Sequence, residues 1–94
     1  MLLAIDVGNT NIIYGIFDGA RLAASFRVAS HVKKTADEYG AVLLNLLSSK
    51  KIGAEEIGGI IVSSVIPSLN YTIVHMCEYF FGKTPMMIGP GVKT

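Results

Sequence analysis

The sequence has 94 residues, enough for one small domain with a modest core. Only 16% of the residues are charged and the formal net charge is +1, so no basic surface points to nucleic acid or to an anionic membrane. Cys77 is the only cysteine, so no internal disulfide can form and we expect a cytoplasmic protein. The apolar start ends at Asp6, so we expect no signal peptide. No run approaches ~20 apolar residues, so we expect no membrane span.

The first third of the chain has the pattern of three strands. Residues 2–5 form a short apolar run, which predicts a strand buried on both faces. Ile12–Phe17 predicts a second strand, and Asp18-Gly19 predicts a two-residue hairpin of the I′ type. The third strand starts at Arg21, and its alternation of apolar with more polar residues predicts one solvent-exposed face. The side chains expected on its apolar face are Leu22, Ala24, Phe26 and Val28.

The rest of the chain alternates helices with strands. Thr35–Glu38 has the form of a capping box, which predicts a helix from there to about Lys50. Pro67 and Gly82 predict the first residue and the end of a second helix. The expected apolar stripes of the two helices are Tyr39, Leu43, Leu46 and Leu47, and Leu69, Ile73, Met76 and Phe80. A buried strand is predicted at residues 60–65, and a last short strand at residues 86–88.

The resulting order of elements is β-β-β-α-β-α-β. Hairpins followed by alternating helices and strands combine antiparallel with parallel pairing. We therefore predict an α/β domain with a mixed sheet and helices on its faces. This is the ribonuclease-H-like order, which each lobe of an actin-like ATPase uses.

The segment Asp6-Val7-Gly8-Asn9-Thr10-Asn11 carries the residue types of a nucleotide site. Gly8 permits a tight turn, and the following amides and hydroxyl are donors for phosphate oxygens, so the turn predicts an anion site. Asp6 would be repelled by bare phosphate but suits Mg²⁺, which keeps most of its waters and takes one or two carboxylates. The alternative is an ordinary hairpin turn with Asp6 as a capping acid.

Three segments together resemble the type III pantothenate kinase family. They are Asp6–Asn11 at the N-terminus, then Ser63–Pro67, and then Gly89-Pro90-Gly91 continuing to Thr94. The resemblance covers essentially the whole chain. The first segment alone is typical of the wider group of actin-like ATPases, whereas the three in order are much more specific.

The resemblance implies ATP-dependent phosphorylation of pantothenate to 4'-phosphopantothenate, the first step of coenzyme A biosynthesis. It also implies a homodimer that uses Mg²⁺ and a monovalent cation, K⁺ or NH₄⁺. The residues implied to bind nucleotide are Asp6, Val7, Gly8, Asn9, Thr10, Asn11, Ile12 and Ile13. Asp6 would position the metal–phosphate group, holding Mg²⁺ through water. Gly89, Pro90 and Gly91 resemble the loop on the pantothenate side.

The chain departs from the family in length. Family members have two such lobes, so we expect residues 1–94 to be a single N-terminal lobe of a longer protein. The family's Gly-Ala-Asp-Arg segment, which carries the general base, would lie beyond Thr94. The second phosphate loop and the monovalent-cation ligand would also lie beyond Thr94. We therefore expect residues 1–94 alone to be inactive.

Other chemically active residues have simpler explanations. His31 and His75 have no metal-ligand spacing, and Cys77 fits a buried structural thiol. Ser63 and Ser64 end a predicted strand and could face a cleft, but a helix-capping role for one of them is favoured.

Two alternatives to a pantothenate kinase remain. The first is another small-molecule kinase of the same superfamily, which a substrate screen would distinguish. The second is a non-catalytic module for nucleotide binding or dimerisation, which the short chain favours and the three family-like segments oppose.

Overall fold

The chain forms five strands and two α-helices, and a computed structural model describes residues 1–88. The strands are β1 Leu2–Val7, β2 Asn11–Asp18, β3 Arg21–Ala29, β4 Gly59–Ser64 and β5 Met86–Ile88. The helices are α1 Ala36–Ser49 and α2 Pro67–Phe81, with a short 3-10 helix at Ala54–Glu56. None of the helices described here is long and apolar enough to cross a membrane.

One mixed sheet holds all five strands in the order β3-β2-β1-β4-β5. β1 pairs antiparallel with β2, and β2 pairs antiparallel with β3. β4 lies parallel to β1 on its other side, and β5 lies parallel to β4. The predicted order of elements and the predicted mixture of pairings are both confirmed. Because β1 and β4 are parallel neighbours, their carboxyl ends meet at one edge of the sheet.

Both α-helices pack on the same face of the sheet, where one hydrophobic core forms. Along β1 the side chains of Leu3, Ile5 and Val7 are fully or almost fully buried, whereas Leu2 is 42% exposed and Asp6 is exposed. The prediction that this strand is buried on both faces is therefore wrong. Nothing among residues 1–88 packs over the second face as the helices pack over the first, so that face forms an open groove.

The β2–β3 hairpin differs from its prediction in two details. Gly19 has a φ of 63° but Ala20 does not have a positive φ, so the turn has the φ pattern of type II′ rather than I′. A bulge then leaves Ala23 unpaired, since Ile16 pairs with Ala24 and Phe17 with Leu22. The extra residue moves Leu22 to the open face, away from the apolar face on which simple alternation placed it.

Local signals define the ends of both helices as predicted. Thr35 is the N-cap of α1, and its side chain and that of Glu38 form the capping box. Pro67 opens α2, and Gly82 ends it in the left-handed conformation with φ 65°. Leu46 and Phe80 are only partly buried, although both were assigned to the apolar stripes.

Candidate functional site

The loop between β1 and β2 begins with a tight turn. The Gly8 N–H donates a hydrogen bond of 2.8 Å to the carbonyl oxygen of Asn11. A Cβ atom at position 8 would lie 3.1 Å from that same oxygen, which is closer than most real Cβ contacts. Glycine therefore allows the backbone of the loop to fold back on itself at this point.

The tip of this loop offers free hydrogen-bond donors. Asn9 and Thr10 are exposed, and no hydrogen bond among residues 1–88 engages their backbone N–H groups. The side-chain amide of Asn11 donates to the Thr10 hydroxyl over 3.2 Å. Free amides and a hydroxyl on one short turn are the groups that bind phosphate oxygens in backbone anion sites.

A residue distant in sequence holds the loop in place. The Ser30 hydroxyl donates to the Gly8 carbonyl oxygen over 2.7 Å, and the Ser30 N–H donates to the Thr10 carbonyl oxygen over 2.9 Å. Ser30 follows β3 and lies 22 residues from Gly8. The sequence patterns did not indicate this residue, because only the β2–β3 pairing brings it to the loop.

Asp6 lies on the open face of the sheet, next to the loop. On the neighbouring parallel strand its register partner is Ser63, and both residues line a groove of about 320 Å³. Most of the groove is apolar. Its other lining residues are Ala4, Ile5, Ile13, Gly15, Phe17, Leu22, Ser25, Ile61 and Ile88. The carboxylate and the hydroxyl therefore form a polar pair in a mainly apolar groove.

The structure separates the predicted nucleotide segment into three environments. Asp6, Asn9 and Thr10 are exposed, and Ile13 lines the groove. The side chains of Val7 and Ile12 are fully buried in the core, so only their backbone groups are available to a ligand. The predicted substrate-side loop, Gly89–Gly91, lies outside the described residues.

The two serines at the end of β4 have different roles. Ser64 does not cap α2, whose N-cap is Ile66 and has no side-chain capping bond. Instead the Ser64 hydroxyl accepts from the Ile66 N–H over 3.1 Å and donates to the Ile66 carbonyl oxygen over 3.2 Å. The favoured capping role is therefore wrong, and Ser64 closes a turn before the helix, while Ser63 lines the groove.

The residues present fit a magnesium ion that is held mainly by water and phosphate. No group of three or more His, Cys, Asp and Glu side chains with metal-binding geometry occurs within residues 1–88. Mg²⁺ does not need such a cage, because it commonly keeps several waters and binds one or two carboxylates plus substrate phosphates. Asp6 supplies one exposed carboxylate on the strand that leads into the loop.

The histidine and cysteine of α2 lie away from this site. His75 is exposed and stacks between Tyr71 and Tyr79, with ring centroids 6.0 and 6.2 Å away. Cys77 is fully buried, and burial raises the pKa of its thiol to about 12. The burial of Cys77 agrees with the structural role expected of this thiol.

Comparison with known proteins gives the same fold and identifies the family. A hexokinase of the ROK group from Thermus thermophilus matches with a TM-score of 0.70 at 16% identity, over 94% of this chain and 34% of that one. A candidate N-acetylglucosamine kinase from Porphyromonas gingivalis matches with a TM-score of 0.66 at 14% identity, over 95% of this chain and 34% of that one. At these identities the likeness concerns the fold, which is that of the actin-like ATPases.

The chain thus spans 34% of the length of these structural relatives. The sequence model of the type III pantothenate kinases matches residues 2–94, almost the entire chain. The resemblance inferred from the three short segments is therefore confirmed, and the chain belongs to the type III pantothenate kinase family.

Proposed function

We propose that the protein containing this chain phosphorylates pantothenate with ATP to give 4'-phosphopantothenate, and that residues 1–88 include its phosphate-binding loop. Membership of the family over residues 2–94 supports the reaction. The structural observation that supports the site is the position of Asp6. Its carboxylate lies in a groove beside a loop whose tip carries free N–H groups.

In this proposal the loop binds the phosphates of ATP. The N–H groups of Asn9 and Thr10 donate to phosphate oxygens, and the Thr10 and Asn11 side chains add polar contacts. Val7 and Ile12 anchor the loop in the core and contribute only backbone groups. Phosphoryl transfer depends mainly on positioning and on charge neutralisation, and a rigid loop supplies the positioning.

Asp6 holds Mg²⁺ through water in this arrangement. ATP provides the transferable phosphoryl group, and Mg²⁺, when bound, would supply positive charge to offset that of the phosphates. Ser63 is the register partner of Asp6 on β4, so its hydroxyl would be available to the waters of the same ion. The use of a monovalent cation, K⁺ or NH₄⁺, is proposed from family membership alone.

The remaining parts of the machinery are proposed to lie outside the described residues. Gly89, Pro90 and Gly91 would form the substrate-side loop, and the general base would come from a second lobe. The chain corresponds to 34% of the kinases that share its fold, which supports this division. We therefore expect residues 1–94 alone to show no turnover, and we expect the full protein to act as a cytoplasmic homodimer.

The test of this proposal measures the release of ADP by the full-length protein in the presence of Mg-ATP and K⁺. Release that depends on pantothenate is the expected result. Glucose and N-acetylglucosamine serve as control acceptors, because the two structural relatives are named as a hexokinase and a candidate N-acetylglucosamine kinase. Release with a control acceptor but not with pantothenate would replace the proposed substrate. No release with any acceptor would favour a non-catalytic nucleotide-binding module.

A further inference from the structure

Ser30 makes two hydrogen bonds to the loop that follows β1. Its hydroxyl donates to the carbonyl oxygen of Gly8 over 2.7 Å, and its N–H donates to that of Thr10 over 2.9 Å. These carbonyl groups lie on either side of Asn9. The two hydrogen bonds therefore attach both ends of the loop tip to the same residue, Ser30.

The bonds also determine where neighbouring N–H groups point. The described chain has no cis peptide bond, and in a trans peptide the C=O and the following N–H point in opposite directions. Because Ser30 holds the Gly8 carbonyl, the Asn9 N–H is directed away from Ser30. By the same geometry, the bond to Thr10 directs the Asn11 N–H away from Ser30.

The buried side chain of Tyr39 binds the backbone of His31, the residue that follows Ser30. Its hydroxyl accepts from the His31 N–H and donates to the His31 carbonyl oxygen, each over 2.8 Å. Tyr39 is only 2% exposed and lies in α1, which the capping box of Thr35 stabilises. The side chain of Tyr39 therefore connects a packed helix to the residue next to Ser30.

We propose that Ser30 is a positioning residue for the nucleotide loop, and that Tyr39 supports it. Ser30 orients the Asn9 N–H, one of the two proposed phosphate donors, before ATP arrives, so less ordering remains when the phosphates bind. This inference rests on the proposed function, because it takes the loop to be the phosphate site. It assigns to Ser30 a role that it exerts through the backbone of the loop.

The matched test compares Ser30→Thr with Ser30→Val in the full-length protein. The two side chains have nearly the same shape, but only threonine keeps the hydroxyl. Calorimetric titration with Mg-ATP should show wild-type-like affinity for Ser30→Thr and a Kd raised about 5-fold for Ser30→Val, since one hydrogen bond contributes about 1 kcal/mol. The KM for pantothenate should be the same in both variants.

Tyr39→Phe provides a second readout. It removes both bonds to His31, so it should also raise the Kd for Mg-ATP, and its effect should not add to that of Ser30→Val. Equal Mg-ATP affinities for Ser30→Thr and Ser30→Val would overturn the inference. So would variants that lower the thermal midpoint without changing the Kd.

The titration separates this inference from the proposed function. If the wild-type protein binds Mg-ATP but does not phosphorylate pantothenate, the proposed substrate fails and the role of Ser30 is still decided by the two variants. If the wild-type protein does not bind Mg-ATP, both the nucleotide loop and the role of Ser30 are refuted.

Discussion

Gly40 on α1 directly faces the ring of Phe80 on α2, and a Cβ atom at position 40 would overlap that ring. Gly40 is buried within α1, where glycine costs about 1 kcal/mol relative to alanine. Helix propensity therefore does not explain a glycine here. The close approach of the two helices does, because the ring occupies the space that a side chain would need.

Replacing Gly40 with alanine should destabilise the protein. Overpacking costs about 1–3 kcal/mol, which exceeds or offsets the gain of about 1 kcal/mol in helix propensity, so we expect a net loss of about 1 kcal/mol. Urea unfolding of the purified protein measures this change. In a Phe80→Ala background the same substitution should stabilise, because the ring is absent. Destabilisation of equal size in both backgrounds would contradict the packing explanation.

Glu38 should make the start of α1 sensitive to acid. The Thr35 N–H donates to the Glu38 carboxylate over 2.9 Å, and this backbone hydrogen bond lowers the pKa of Glu38. A pKa that is lower in the folded state means that the stabilisation is present above the unfolded pKa and is lost as the pH falls through the folded pKa. Unfolding of the wild-type protein should therefore become easier as acid protonates Glu38.

The control for this prediction is Glu38→Gln, which keeps a carbonyl acceptor for Thr35 but does not titrate. Urea midpoints measured across the acidic range should fall less steeply for this variant than for the wild-type protein. Identical pH dependence in the two proteins would show that the capping box contributes nothing to acid sensitivity.

Cys77 should be unreactive in the folded protein. Burial raises the pKa of its thiol to about 12, and the thiolate is the reactive form. At neutral pH we expect no modification by a thiol reagent under native conditions and complete modification in denaturant. Ellman's reagent measures both. Rapid modification of the native protein would contradict the burial of this side chain.

Local sequence patterns predicted the elements well because each signal acts within a few residues. The capping box at Thr35, Pro67 at the start of α2 and Gly82 at its end each specify a helix terminus through adjacent backbone groups. The polar loop after β1 was recognisable for the same reason, since its residue types lie next to one another in the chain.

Features that depend on pairing across the sheet were not predictable from one strand at a time. The bulge at Ala23 exists because β3 pairs with β2 in a shifted register, and it moves Leu22 to the other face. The contacts of Ser30 need the same pairing. The exposure of Leu2 follows from both helices packing on one face, which an apolar run does not reveal.

The most direct test of the central claim is the effect of Asp6→Asn on pantothenate-dependent ADP release by the full-length protein. Asp18→Asn is the matched control, because Asp18 is an exposed carboxylate at the far end of β2 whose partner is Arg21. We expect Asp6→Asn to lower kcat by about 100-fold or more, as loss of a charge-stabilising group typically does, with an unchanged unfolding midpoint. Asp18→Asn should retain wild-type kcat. Wild-type kcat in a folded Asp6→Asn protein would show that Asp6 does not position the metal–phosphate group.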